Sequence, residues 1–109
     1  ETRDMTAASG NVSYTGYGFT PSALFIMAMH PGAGAASLGC SNASLGYQMW
    51  YWSTALGFAN TQIIQIYEGA GVLQRAIVAS YDADGFTLTW TKEGSPAAGT
   101  APLLVFAFV

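Results

Sequence analysis

The sequence predicts an all-β fold: a single antiparallel β-sandwich, jelly-roll-like, of about seven or eight short strands over residues 1–109. Three observations carry this expectation. Short runs rich in β-branched and aromatic residues are separated by Gly, Pro, Asn and Ser clusters. No stretch carries the apolar spacing of a helix. One segment is a clear hairpin, because Asp82-Ala83-Asp84-Gly85 parts two strand-like runs and its glycine tolerates the positive φ of a tight turn. A chain of 109 residues supports one core but not two, and it contains neither an internal repeat nor a linker.

Each element follows from local chemistry. Asn11–Tyr14 is a first strand, ended by Thr15-Gly16-Tyr17-Gly18. Phe19-Thr20-Pro21 leads into the next, with the proline confined to a strand entry because it cannot donate to a ladder. Ala23–Met29 is apolar without alternation, which predicts burial on both faces, at a sheet centre or a subunit contact. His30-Pro31-Gly32-Ala33-Gly34 ends it. Ser37–Ser41 is a short strand, followed by a turn at Ser41-Asn42-Ala43. Tyr47–Thr54 is aromatic-rich and suits a strand, and Thr61–Tyr67 carries Ile63, Ile64 and Ile66. Gly69-Ala70-Gly71 turns the chain into the hairpin strands Val72–Tyr81 and Phe86–Thr91. In the second of these, Phe86, Leu88 and Trp90 face one way and Thr87, Thr89 and Thr91 the other. Lys92–Pro102 is read as a loop and Leu103–Val109 as the last strand.

The charge content is unusual. Asp, Glu, Lys and Arg make up 8% of the chain, against about 25% in ordinary domains. None of the four occurs from Met5 through Tyr67. Low charge promotes association, and charge depletion marks interface cores, so much of the surface is expected to be covered by other subunits or a larger partner. A net charge of −3 with three basic residues excludes nucleic-acid binding, which needs a cationic stripe. The longest strictly apolar runs, Ala23–Met29 and Leu103–Val109, fall far short of the roughly 20 residues of a membrane helix. The chain also has few of the ten-residue dyad repeats of a membrane barrel. No membrane partner is expected.

No constellation of residues supports catalysis, and no enzymatic activity, cofactor or metal is expected. With Asp82 as position one, Glu93 falls at position twelve as in a calcium loop. However, position five is Phe86 and the obligatory glycine at six is Thr87. His30, the only histidine, has no carboxylate or thiol pair nearby in sequence and no nucleophile elbow to serve, so it reads as a turn residue. Nothing sets Glu68, Asp82, Asp84 and Glu93 as an opposed carboxylate pair. Cys40 is the one cysteine and reads as a buried structural thiol. The candidate ligand or interface residues are Tyr47, Trp50, Tyr51 and Trp52. On a strand, Trp50 and Trp52 share one face and Met49 and Tyr51 the other. One face must be core, and the other offers a sugar platform or a protein interface.

The run Thr15-Gly16-Tyr17-Gly18-Phe19-Thr20-Pro21 before the apolar strand Ala23–Met29, then Ser37-Leu38-Gly39, Asp82–Trp90 and the closing Val105-Phe106-Ala107-Phe108 together resemble a β-sandwich module of tailed-bacteriophage virion proteins, of the tail-fibre, receptor-binding and capsid-decorating kind. The resemblance implies a non-enzymatic structural protein of the virion that forms a homo-oligomer, a trimer being favoured, and contacts other virion proteins. It brings no catalytic residues, and Ala43–Ala59 matches nothing in it. A lectin-like module that binds carbohydrate through the aromatic strand is the alternative expectation.

Overall fold

Glycine, serine and asparagine turns cut the chain into strands that mostly run back and forth, each beside the one before it. The computed structural model describes residues 1–109. Its strands are β1 (Thr2–Asp4), β2 (Gly10–Thr15), β3 (Ala23–His30), β4 (Ala35–Asn42), β5 (Gly46–Trp52), β6 (Ala55–Ala59), β7 (Ile64–Tyr67), β8 (Leu73–Asp82), β9 (Gly85–Glu93) and β10 (Thr100–Phe108). A 3-10 turn at Pro31–Ala33 is the only helical element. Two antiparallel sheets result, one of six strands in the order β1-β10-β3-β4-β5-β6 and one of four in the order β2-β9-β8-β7. They pack face to face as a β-sandwich, the architecture the sequence predicts.

The core lies between the sheets. Leu24, Ile26 and Ala28 of β3 and Leu103 of β10 meet Phe86, Leu88 and Trp90 of β9 and Ile64 and Ile66 of β7, all buried. Full burial of each large apolar side chain contributes about 1.5–3 kcal/mol. The β8–β9 hairpin forms as expected around Ala83-Asp84, with one register irregularity between Val78 and Ser80. The inward side of β9 is Phe86, Leu88 and Trp90, and the threonines lie on the other side. Where the chain crosses between the sheets it passes directly over β4: a Cβ on Gly39 would collide with the Ile63 carbonyl, so only glycine admits the crossing.

The structure differs from the sequence expectation in three places. β1 forms although it holds only Thr2, Arg3 and Asp4, because it pairs with Thr100–Pro102 of β10; the predicted loop Lys92–Pro102 is correspondingly shorter at both ends. Residues of the predicted strand Tyr47–Thr54 divide into β5 and a two-residue turn, Ser53-Thr54, that leads into the unpredicted strand β6. Ser53 adopts φ 56°, a positive value at the first loop position of a tight hairpin. Finally, Ala23–Met29 does lie in mid-sheet, between β10 and β4, but within the chain only one of its faces is covered.

Candidate functional site

The uncovered face of the six-stranded sheet is the outstanding surface of the molecule. Alternation turns Leu24, Ile26 and Ala28 inward, so Phe25, Met27 and Met29 face out. The same parity operates on every neighbouring strand, and the register aligns the outward residues in rows. One row runs Leu104, Met27, Leu38, Met49, Phe58 across β10, β3, β4, β5 and β6. A second runs Phe106, Phe25, Cys40, Tyr47, and a third Met29, Ala36, Tyr51, Leu56. No side chain in these rows carries a charge. Phe58 is 74% exposed, and Leu56 and Leu104 are each 56% exposed. The face is slightly dished: a concavity of about 400 Å³ is lined by Met27, Met29, Leu38, Met49, Leu56 and Leu104.

Scattered exposed apolar residues are ordinary, whereas a contiguous patch marks an interaction site. Five strands at about 4.8 Å spacing and rows about 6.8 Å apart make this face roughly 24 Å by 20 Å, or about 500 Å² before side-chain relief is counted. A standard interface takes about 800 Å² from each partner, so the face supplies most of one. Its soft, unbranched Met27, Met29 and Met49 side chains suit an adaptable packing surface.

The four aromatic residues singled out from sequence are divided by the strand they share. Trp50 and Trp52 turn inward, beneath the sheet. Trp50 stacks on Tyr67 at 4.1 Å between ring centroids, Trp52 meets the same ring edge-on at 6.0 Å, and the Trp52 indole N–H donates to the Ala33 carbonyl at 3.0 Å. Tyr47 and Tyr51 turn outward and join the apolar rows. Cys40 corrects an expectation: it is exposed, on the outer face between Phe25 and Tyr47, and not buried.

His30 corrects another. It is the last residue of β3 and lies buried, with Nδ1 3.1 Å from Oε2 of Glu68. The second Glu68 oxygen accepts the Ala97 N–H at 3.0 Å. A carboxylate 38 residues away thus stands beside the imidazole, where the sequence neighbourhood offered none. Its evident work is to join the end of β3 to the β7–β8 turn and the β9–β10 loop. No group of three or more His, Cys, Asp or Glu side chains converges as a metal site, and no helix is long and apolar enough to cross a membrane. The outer face is built of apolar side chains with the Cys40 thiol and the Tyr47 and Tyr51 rings among them, and covering it would remove a large apolar area from water. No family model, curated protein or solved structure matches this chain.

Proposed function

We propose that this chain is a non-catalytic structural subunit that self-assembles, burying the outer face of its six-stranded sheet. In line with the resemblance drawn from its sequence, we place the assembly in a bacteriophage particle, as a capsid-decorating or tail component. One observation carries the assembly part: rows of Leu104, Met27, Leu38, Met49 and Phe58 and their neighbours cross five strands in register without a charge. Apolar burial at about 25 cal/mol per Å² makes such a surface strongly associative, and a subunit that works alone would keep it charged.

Size-exclusion chromatography with light scattering tests this. The wild-type chain should elute as a homo-oligomer, and Met27→Glu should elute as a monomer with an unchanged far-ultraviolet circular dichroism spectrum. Met27 lies at the middle of the face and outside the core, so the substitution burdens association and not folding. A wild-type monomer at tens of micromolar would overturn the assembly reading. If that monomer bound glycans through Tyr47 and Tyr51, the lectin alternative would take its place. The virion part is tested by co-sedimentation of the chain with purified phage particles.

A further inference from the structure

The free edge of the six-stranded sheet has a pattern of its own. β6 reads Ala55-Leu56-Gly57-Phe58-Ala59, nearly the same in both directions about Gly57. Its inner neighbour is β5, with Trp52 opposite Ala55 and Trp50 opposite Gly57. In a hairpin with a two-residue loop, the pair flanking the loop exchanges hydrogen bonds, and bonded pairs then alternate with unbonded ones. Ala55, Gly57 and Ala59 therefore bond to β5. The N–H and C=O groups of Leu56 and Phe58 point away from it, and no backbone bond elsewhere in the chain takes them up. The side chains of the same two residues stand on the apolar outer face.

We propose that β6 pairs antiparallel with β6 of a second copy about a two-fold axis through Gly57, so that the two six-stranded sheets become one. This rests on the assembly reading above and adds to it a partner and a register. Leu56 would oppose Phe58 of the second copy and Phe58 its Leu56, as bonded pairs that exchange four backbone hydrogen bonds. Gly57 would meet its own equivalent at the closest-approach position of the ladder, where Cα atoms come within about 4.5 Å. There a side chain would crowd the axis, and the inner side of Gly57 is already filled: a Cβ would strike the Trp50 ring. The quasi-palindrome makes a second copy the fitting occupant, because a two-fold interface must be self-complementary. The outer faces of both copies continue across the seam as one apolar surface.

The edge is also unguarded. Edge strands are ordinarily blunted by lysine, proline, a bulge or a cover, and β6 carries none of these residues. Elsewhere β1 holds Arg3 and Asp4. β2 ties its Ser13 and Asn11 side chains back to Thr87 and Thr89, and β7 donates the Gln65 N–H to Ser37 Oγ. β2 also has an unpaired side, at the end of the four-stranded sheet, and so does the far half of β10, since β1 pairs only with Thr100–Pro102. The β10 segment Val105-Phe106-Ala107-Phe108-Val109 also reads the same in both directions, about Ala107. Less of that edge is free, however: β1 covers Thr100–Pro102, and the Ser22 hydroxyl already donates to the Val109 carbonyl that such a pairing would use.

Residue-resolved hydrogen exchange on the wild-type oligomer tests this directly, because the Leu56 and Phe58 amides have no acceptor within their own chain. Both should exchange at least about a hundredfold more slowly in the oligomer than the intrinsic rate of an unpaired amide, as amides in a closed ladder do. Phe58→Pro removes one of these outward donors without breaking a bond to β5. It should weaken the association at least about tenfold. If Phe58→Pro does not fold, the exchange measurement on wild type decides alone. Fast exchange at Leu56 and Phe58 in an oligomer that Met27→Glu still dissociates would overturn the edge pairing and leave the face assembly standing. Protection of Val105 and Ala107 without Leu56 and Phe58 would put the two-fold seam at β10 and would overturn the pairing of β6. So would an oligomer three times the mass of the chain. A wild-type monomer would overturn both proposals.

Discussion

Arg3 shows how this protein keeps a charge inside an almost uncharged body. Its guanidinium lies over the Trp90 ring, 4.7 Å from the centroid, and donates to Gln74 Oε1 and to the Ala8 carbonyl. Gln74, itself fully buried, returns donors to the carbonyls of Met5 and Ala7. Burial pushes the Arg3 pKa down, yet arginine stays charged because its ordinary value is so high. Replacement Gln74→Leu would leave the guanidinium without its side-chain acceptor and the Met5 carbonyl without its side-chain donor, while Ala7 would keep only its longer contact from Arg3. That should cost about 2–4 kcal/mol, read as a lower midpoint in urea unfolding. Asp84 is a surface counterpart. Its carboxylate accepts the N–H groups of Gly18 and Gly16, at 2.7 Å and 3.0 Å, tying the loop after β2 to the β8–β9 turn, and those bonds lower its pKa. A carboxyl with a depressed folded value adds stability that is present above its unfolded pKa of about 3.9 and is lost as pH falls through the folded value. Melting temperature should therefore hold from neutral pH down to about 4 and fall below it. Asp84→Asn should make that acid-side fall shallower; an identical pH profile for the variant would show that these bonds do not contribute.

At the scale of elements, the β5–β6 hairpin joins interior to surface. Trp50 is held between Tyr67 and the bare Gly57 backbone, and the same strand presents Tyr47 and Tyr51 outward. Gly57→Ala should displace the Trp50 ring and destabilise the domain by about 1–3 kcal/mol, the usual effect of overpacking; a structure of the variant or its tryptophan fluorescence would register the move. This hairpin is also where the sequence was hardest to read. β2, β3, β5 and β7 to β10 were legible because β-branched and aromatic residues, glycine turns and the Asp84-Gly85 signal are local. β6 was not, since Ala55-Leu56-Gly57-Phe58-Ala59 has no β-branched residue and a glycine at its centre. β1 was not either, since three residues become a strand only through their pairing with β10. The His30–Glu68 contact spans 38 residues, and no spacing rule reaches that far. Of the site, the charge desert from Met5 through Tyr67 was visible in the sequence. That its outward residues line up in register on one sheet was not, because only strand order brings Leu104 beside Met27 and Met49 beside Phe58.

For the whole molecule, the division of labour between faces predicts the thermodynamics of assembly. The inner face of the six-stranded sheet is spent on the core, and the charged side chains lie at β1 and in the later half of the chain. Association through the outer face therefore has no ion pairs to screen. Ionic strength changes surface electrostatics over a Debye length of about 10 Å at 0.1 M and about 3 Å at 1 M, so an interface held by charges would loosen across that range. This one should hold its mass or tighten between 0.1 M and 1 M sodium chloride. Apolar burial also carries a negative heat-capacity change and weakens on cooling. Dilution calorimetry of the oligomer at several temperatures should give an association heat capacity that is clearly negative, with the dissociation constant rising toward 5 °C. Dissociation by salt at constant temperature, with no heat-capacity change, would instead point to an interface built on Arg75, Lys92 and the carboxylates, and would move the assembly surface from the outer face to the four-stranded sheet, where β8 and β9 carry those side chains.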